Sequence, residues 1–157
     1  MDLILWRHAE AFELAADMLS EQNDLHRALT AKGERQAHRM ADWLNQRLAH
    51  STRVLVSPAR RAQQTAKALD RSFKTLDALL PGASAESLIR AARWPQGSEP
   101  VLIVGHQPTL GLVAAQLLSG TPQNWAIKKS AVWWLRDRDR EGSAQVVLQV
   151  VQGPDYL

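Results

Sequence analysis

The sequence predicts an α/β fold, a three-layer α/β/α sandwich with a mostly parallel central sheet. Leu3–Trp6, Arg53–Val56 and Val101–Val104 are short, largely apolar runs, the pattern of strands buried on both faces of a parallel sheet. Each is followed by residues with helical periodicity, and alternation of this kind favours helices on both sides of a sheet. The 157 residues contain no internal repeat, low-complexity tract or linker, so a single domain over 1–157 is expected.

After the first strand, residues 9–29 are irregular and polar, with Asp17, Glu21, Asn23 and Asp24. They predict a loop or short helix over the carboxyl end of the sheet. Thr30 is placed to cap a helix whose apolar face is Ala37, Met40, Ala41, Leu44 and Leu48. The second strand should enter a helix at Pro58, a residue suited to the first helical turn. Ala59, Ala62, Ala66 and Leu69 would line its buried side, small enough for close approach to the sheet. Ser84 marks the start of a helix over Ala85–Ala92, and Trp94-Pro95-Gln96-Gly97-Ser98 separates it from the third strand. The helix after Pro108 carries its apolar stripe at Leu110, Val113, Ala114, Leu117 and Leu118, ending at Ser119-Gly120-Thr121-Pro122. Two further strands are expected at Ser130–Leu135 and Ala144–Val151, joined as a hairpin by a solvated turn over the Arg/Asp alternation that starts at Arg136. Trp133-Trp134 should put one ring in the core and the other outside.

Hydrophobic residues make up 45% and charged residues 22%, an ordinary globular balance. The net charge of +3 favours anionic ligands mildly, but a solvated basic surface explains it equally well. With no cysteine, disulfides, thiolate metal sites and cysteine nucleophiles are excluded. No secretory signal or membrane-length apolar stretch is visible, so a cytoplasmic location is expected, with no membrane partner.

The chemistry lies where the strands end, since open α/β sheets bind ligands outside the carboxyl ends of their strands. Arg7-His8 follows the first strand, Ser57-Pro58-Ala59-Arg60-Arg61 the second, and Gly105-His106-Gln107-Pro108 the third. Each pair alone means little. Gly105 is equally read as a tight turn and His106 as a helix cap. Together they bring two histidines and two arginines to one place. Phosphoryl transfer needs mainly positioning and charge stabilisation of the equatorial oxygens. Arginine forks suit those oxygens. One neutral imidazole is a nucleophile, a second a donor. The helix after Pro108 is expected to add N–H groups that favour anions. His26, His38 and His50 lie in polar or helical surroundings and read as surface residues. No histidine–carboxylate spacing suggests zinc, and Arg7 and Arg61 would repel a divalent cation, so neither metal nor cofactor is expected.

These residues resemble the histidine phosphatase superfamily, which implies a phosphoglycerate mutase-like fold. Arg7-His8-Ala9 resembles its signature, which implies that His8 is the nucleophile and Arg7 a phosphate ligand. Ser57-Pro58-Ala59-Arg60-Arg61-Ala62 with Thr65 resembles the second motif, in which the arginine directly before alanine binds phosphate. That points to Arg61 rather than Arg60. Gly105-His106 resembles the third, which implies that His106 is the second catalytic histidine. The nearest likeness is to SixA-type phosphohistidine phosphatases, through the short chain, Arg27-Ala28-Leu29-Thr30 with Gly33, and Gly105-His106-Gln107-Pro108. It spans Met1 to about Leu135. In that pattern an arginine at position 27 sits near the pocket, so Arg27 is a substrate phosphate-binding candidate, with a surface salt bridge as the alternative.

Two departures matter. Ala9 stands where the superfamily usually has glycine, and a positive φ there would strain alanine. Ester-cleaving members also carry a glutamate between the second and third motifs to protonate the leaving alkoxide. Residues 74–87 offer only Asp77 and Glu86, neither a clear match, and the loop offers Glu10. An imidazole leaves more readily than an alkoxide, so the missing acid favours phosphohistidine. The resemblance then implies dephosphorylation of a histidine-phosphorylated protein, such as a phosphotransfer domain or phosphotransferase-system protein, through a phosphohistidine on His8. The alternatives are a phosphatase for small phosphoesters or phosphoserine and phosphothreonine, a mutase-like transferase for which the chain is short, and a non-catalytic phosphate-binding module. No nucleic-acid partner is expected.

Overall fold

The computed structural model describes residues 1–140 and 143–157. Six strands form one sheet: β1 (Asp2–Arg7), β2 (Arg53–Val56), β3 (Lys74–Thr75), β4 (Val101–Gly105), β5 (Val132–Arg140) and β6 (Ser143–Gln152). Their order across the sheet is β3-β2-β4-β1-β5-β6. Pairings among β1 to β4 are parallel, whereas β5 runs antiparallel to both β1 and β6.

The apolar runs are buried on both faces, and strand alternation divides them into two layers. Leu3, Leu5, Leu55, Val101 and Ile103 point to one side, where they pack with Leu88 and Ala92 of α4 (Ala85–Ala92) and Leu110 and Val113 of α5 (Thr109–Ser119). Ile4, Trp6, Val54, Val56, Leu102 and Val104 face the other way. They meet Met40 and Leu44 of α2 (Ala31–Asn45) and Ala62 and Ala66 of α3 (Arg60–Lys67). The predicted three-layer α/β/α arrangement follows from these two faces. A short α1 (Glu21–Leu25) lies within the loop after β1.

The helix starts read from the sequence are made by side chains. Thr30 accepts a hydrogen bond from Gly33 N, and Ser84 accepts one from Ser87 N. Gly33 is needed for contact as well: a Cβ there would lie 2.0 Å from the Glu10 carbonyl oxygen.

Three expectations change. α3 begins at Arg60, not Pro58. Ser57 Oγ takes the Ala59 N–H at 3.2 Å, and Ala59 stays extended before the helix. The Arg136 alternation is strand rather than turn, with Arg136 opposite Val147 and Arg138 opposite Gln145. Its two-residue period is itself a strand period, and long ladder pairing with β6 outweighs its polarity. The remainder of the predicted turn, Glu141 and Gly142, lies outside the described residues. Trp133 and Trp134 do alternate between the two layers, but both are half-buried. Trp133 packs near Trp125 at 6.1 Å between ring centres, and Trp134 lies edge-on to Trp43 at 6.5 Å. Trp134 Nε1 also donates to Asp2 at 3.0 Å. Among the described residues, no helix is long and apolar enough to cross a membrane.

Candidate active site

β2, β4 and β1 are neighbours at the centre of the sheet, so the residues that follow them sit side by side. His8 N donates to the Gly105 carbonyl and the His8 carbonyl accepts from Ser130 N, both at 3.1 Å. These bonds fix the His8 backbone between the end of β4 and the segment before β5. Ala9 N donates to Thr65 Oγ1 at 3.0 Å, and Thr65 Oγ1 donates to the Arg61 carbonyl at 2.7 Å. One hydroxyl thus ties the loop after His8 to the helix carrying Arg61. Among the described residues, positive φ outside glycine occurs at Asp70, Arg93 and Ser130 and not at Ala9. The backbone therefore accepts alanine there without the strain that a left-handed residue would carry.

The His8 ring, 6% exposed, lies 2.7 Å through Nδ1 from the Ala9 carbonyl. A carbonyl only accepts, so Nδ1 carries the proton and the Nε2 of the neutral ring is bare. Arg61 Nε donates to that Nε2 at 3.3 Å. The Arg61 side chain is braced by Asp24: Nη1 donates to its carbonyl at 2.7 Å and Nη2 to Oδ2 at 3.1 Å. Arg7 Nη1 donates to the Ile127 carbonyl at 2.8 Å. The His106 ring stands 5.2 Å from that of His8, with Nε2 2.7 Å from Ser57 Oγ.

Arg7, His8, Arg27, Arg61 and His106 line one cavity of about 240 Å³, with Ala11, Glu13, Pro81, Gln107 and Lys129 completing its wall. Arg7 Nε and His106 Nδ1 are buried without a hydrogen-bond partner. Arg27 fits both readings of it. It lines the cavity, and its Nε also pairs with Asp24 Oδ1 at 3.0 Å. Arg60, adjacent to buried Arg61, is exposed and lines no part of this cavity. His26, His38 and His50 are exposed.

The expected helix N-terminus contributes less than its position suggested. Leu110 N donates to the His106 carbonyl, Leu112 N to the Pro108 carbonyl and Gly111 N to Gln107 Oε1. Side chains carry the positive charge of this cavity. Among the acid candidates, Asp77 and Glu86 are exposed and off the wall, and Glu10 accepts the Thr30 hydroxyl at 2.7 Å. The carboxylate on the wall is that of Glu13, which the sequence reading passed over.

Burial pushes the His8 imidazole down to about 3, against the raising effect of the Ala9 carbonyl, and the charges of Arg61, Arg7 and Arg27 add to the fall. Burial comes first here, ahead of the three arginines. His106 is lowered to about 2 by burial, then by His8 and the same guanidiniums. Partial burial pushes the Asp24 carboxyl up, but Arg61 and Arg27 outweigh it and hold it below the usual carboxylate range. Both rings are thus neutral at physiological pH in a cationic, half-enclosed cavity. Among the described residues, no group of three or more His, Asp or Glu side chains is placed to hold a metal ion. Beside the cavity, and sharing Pro81 with it, lies a largely apolar cleft of about 440 Å³ lined by Leu14, Leu19, Leu25 and Leu80 with Ser20, Glu21 and Asp24.

Ser57, Thr65 and Asp24 were also missed as working parts. Ser57 had a usable signal, because it follows β2 as His8 follows β1. Asp24 had none, being a residue of the short α1 that reaches its partner across 37 positions.

Residues 3–80 match the model of the histidine phosphatase superfamily (branch 1). The chain is 31% identical over 128 residues to phosphohistidine phosphatase SixA of Escherichia coli (strain K12), covering 76% of each chain. It is 32% identical over 132 residues to the phosphohistidine phosphatase SixA homolog of Haemophilus influenzae, covering 74% of this chain and 77% of that one. The solved structure of the protein histidine phosphatase SixA complexed with tungstate matches with a TM-score of 0.79 at 27% identity, over 99% of each chain. With these likenesses along most of its length, the chain belongs to the histidine phosphatase superfamily and, within it, to the SixA type.

Proposed function

We propose that this phosphatase removes phosphate from histidine-phosphorylated proteins through a covalent phosphohistidine on His8. The observation that carries the reading is the protonation pattern of His8, with Nδ1–H held by the Ala9 carbonyl and Nε2 bare beside Arg61. In the first half-reaction Nε2 attacks phosphorus in line, and the P–N bond of the substrate, whose ring holds a proton on its other nitrogen, breaks to release neutral imidazole. Arg7, Arg61 and His106 hold the non-bridging oxygens, with Arg27 at the rim. Ser57 donates to His106 Nε2, so that His106 Nδ1–H donates to phosphate, and an oxyanion supplies partners for Arg7 Nε and His106 Nδ1, both buried without one.

Because Nδ1 keeps its proton, phosphorylated His8 is an imidazolium. When water attacks, the P–N electron pair returns to Nε2 and a neutral ring leaves. Both protons of the water depart with the phosphate as dihydrogen phosphate. Neither half-reaction requires a separate acid, whereas an alkoxide leaving group would. This asymmetry supports a phosphoramidate over an ester. The names of the relatives at 31% and 32% identity support the same choice. The adjoining apolar cleft favours a protein substrate, such as a phosphotransfer domain or phosphotransferase-system protein, over a small metabolite.

The test is intact-mass analysis of protein mixed with a histidine-phosphorylated substrate and quenched without acid. Wild type should carry one phosphoryl group, and folded His8→Ala should carry none and lose turnover. Turnover retained by the folded variant would refute the assignment of the nucleophile.

A further inference from the structure

We infer that Glu13 selects the substrate by accepting a hydrogen bond from the protonated ring of phosphohistidine, an inference that rests on the proposed function. Glu13 is the carboxylate on a cavity wall that also carries Arg7, Arg27, Arg61 and Lys129. Asp24, an acidic group nearby, is consumed in bracing Arg61 and Arg27. Glu13, by contrast, makes no side-chain hydrogen bond or ion pair among the described residues. A negative charge on the wall of a phosphate site repels the ligand unless the ligand also brings a positive group to that place.

Phosphohistidine brings one. Its ring has a second nitrogen, and when that nitrogen is protonated the ring is a cation with an N–H to donate. A phosphate ester has neither. The protonated form is also the reactive one. As His8 Nε2 bonds to phosphorus, the P–N electron pair moves onto the substrate ring, which already holds a proton on its other nitrogen and leaves as neutral imidazole. No further proton is transferred. Glu13 thus does for the substrate ring what the Ala9 carbonyl does for His8, holding the distal N–H while the proximal nitrogen exchanges phosphorus. The exposed position of Glu13 at the rim suits a contact with the part of the substrate farthest from the phosphoryl group.

The competing account makes Glu13 a general acid for esters, and the two accounts predict opposite changes. The experiment compares kcat/KM of wild type, Glu13→Gln and Glu13→Asp on two substrates. One is a histidine-containing protein phosphorylated chemically with phosphoramidate, and the other is p-nitrophenyl phosphate. Loss of a charged hydrogen bond typically costs a factor on the order of 10 or more. Glu13→Gln should therefore lower the preference for phosphohistidine over the aryl ester roughly 10-fold, with Glu13→Asp recovering part of it. A preference that falls less than three-fold, or that rises because ester cleavage suffers more, overturns the inference. The wild-type arm stands apart: if wild type cleaves the aryl ester but not phosphohistidine, the proposed function itself fails.

Discussion

The burial that keeps the two site histidines neutral should make the fold sensitive to mild acid. An unfolded histidine takes up a proton near pH 6.5, whereas His8 in the fold does so only near 3 and His106 near 2. Between those limits the unfolded state binds more protons than the native state, so stability falls as pH falls through 6.5. Lowering the pH from 7 to 5 then costs roughly 2 kcal/mol per imidazole, about 4 kcal/mol for the pair. That is a large part of the ~5–15 kcal/mol by which domains of this size are stable. Asp2 is held low by its hydrogen bond from Arg136, and Asp24 has a net lowering from Arg61 and Arg27 despite its burial. Both carboxyls therefore lose their contribution only below pH ~4, outside the interval. Urea unfolding at pH 7 and pH 5 measures the loss directly. His8→Asn and His106→Asn should each remove about half of the pH dependence, whatever they do to stability at pH 7. A wild-type stability that changes by less than ~1 kcal/mol between the two pH values would refute the claim that both rings are held neutral by the fold.

Two further outcomes follow from contacts. Arg61→Ala should lower kcat/KM on the order of 100–1000-fold, as expected for one lost donor to the transition state. Arg60→Ala should leave it within a factor of about two, since exposed changes away from a site have small effects; steady-state kinetics would expose a misplaced register if both losses were equal. Gly33→Ala would drive a methyl to 2.0 Å from the Glu10 carbonyl oxygen. It should destabilise the fold by about 1–3 kcal/mol and slow turnover by displacing the loop that holds His8, a pair of effects that thermal unfolding and kinetics would detect together.

How far the sequence could be read depended on how local each determinant was. β1, β2 and β4 were legible because each is a short apolar run, and burial on both faces removes the usual alternation. Thr30 and Ser84 were legible because a cap acts within three residues. Arg61 was distinguished from Arg60 only through a resemblance, since either residue read alone is one arginine in a basic pair. The extension of β5 through Arg138 was hidden because polar residues in alternation resemble a solvated turn, and only pairing with β6 decides between them. Asp24 and Glu13 were hidden for another reason. Both lie in the irregular stretch after β1, where no periodicity says which side chain turns toward the strand ends.

That stretch is where the chemistry acquires its asymmetry. The strand ends supply a centre that any phosphoryl group would suit: His8 after β1, His106 after β4, and Ser57 after β2, with His8 N bonded to the Gly105 carbonyl and Ser57 N to the Val104 carbonyl at the end of β4. The loop then adds two carboxylates with opposite duties. Asp24 spends its charge on Arg61 and Arg27, orienting the guanidiniums and offsetting part of their mutual repulsion. Glu13 keeps its charge for the ligand. A cavity with arginines alone would favour the most negative phosphate available, which is a dianionic ester rather than a phosphohistidine with a cationic ring. One unengaged carboxylate at the rim shifts that balance toward a ligand whose negative and positive ends are a ring's width apart. The choice of leaving group is therefore made by the part of the chain with the least regular structure, while the sheet fixes the reaction common to both kinds of substrate.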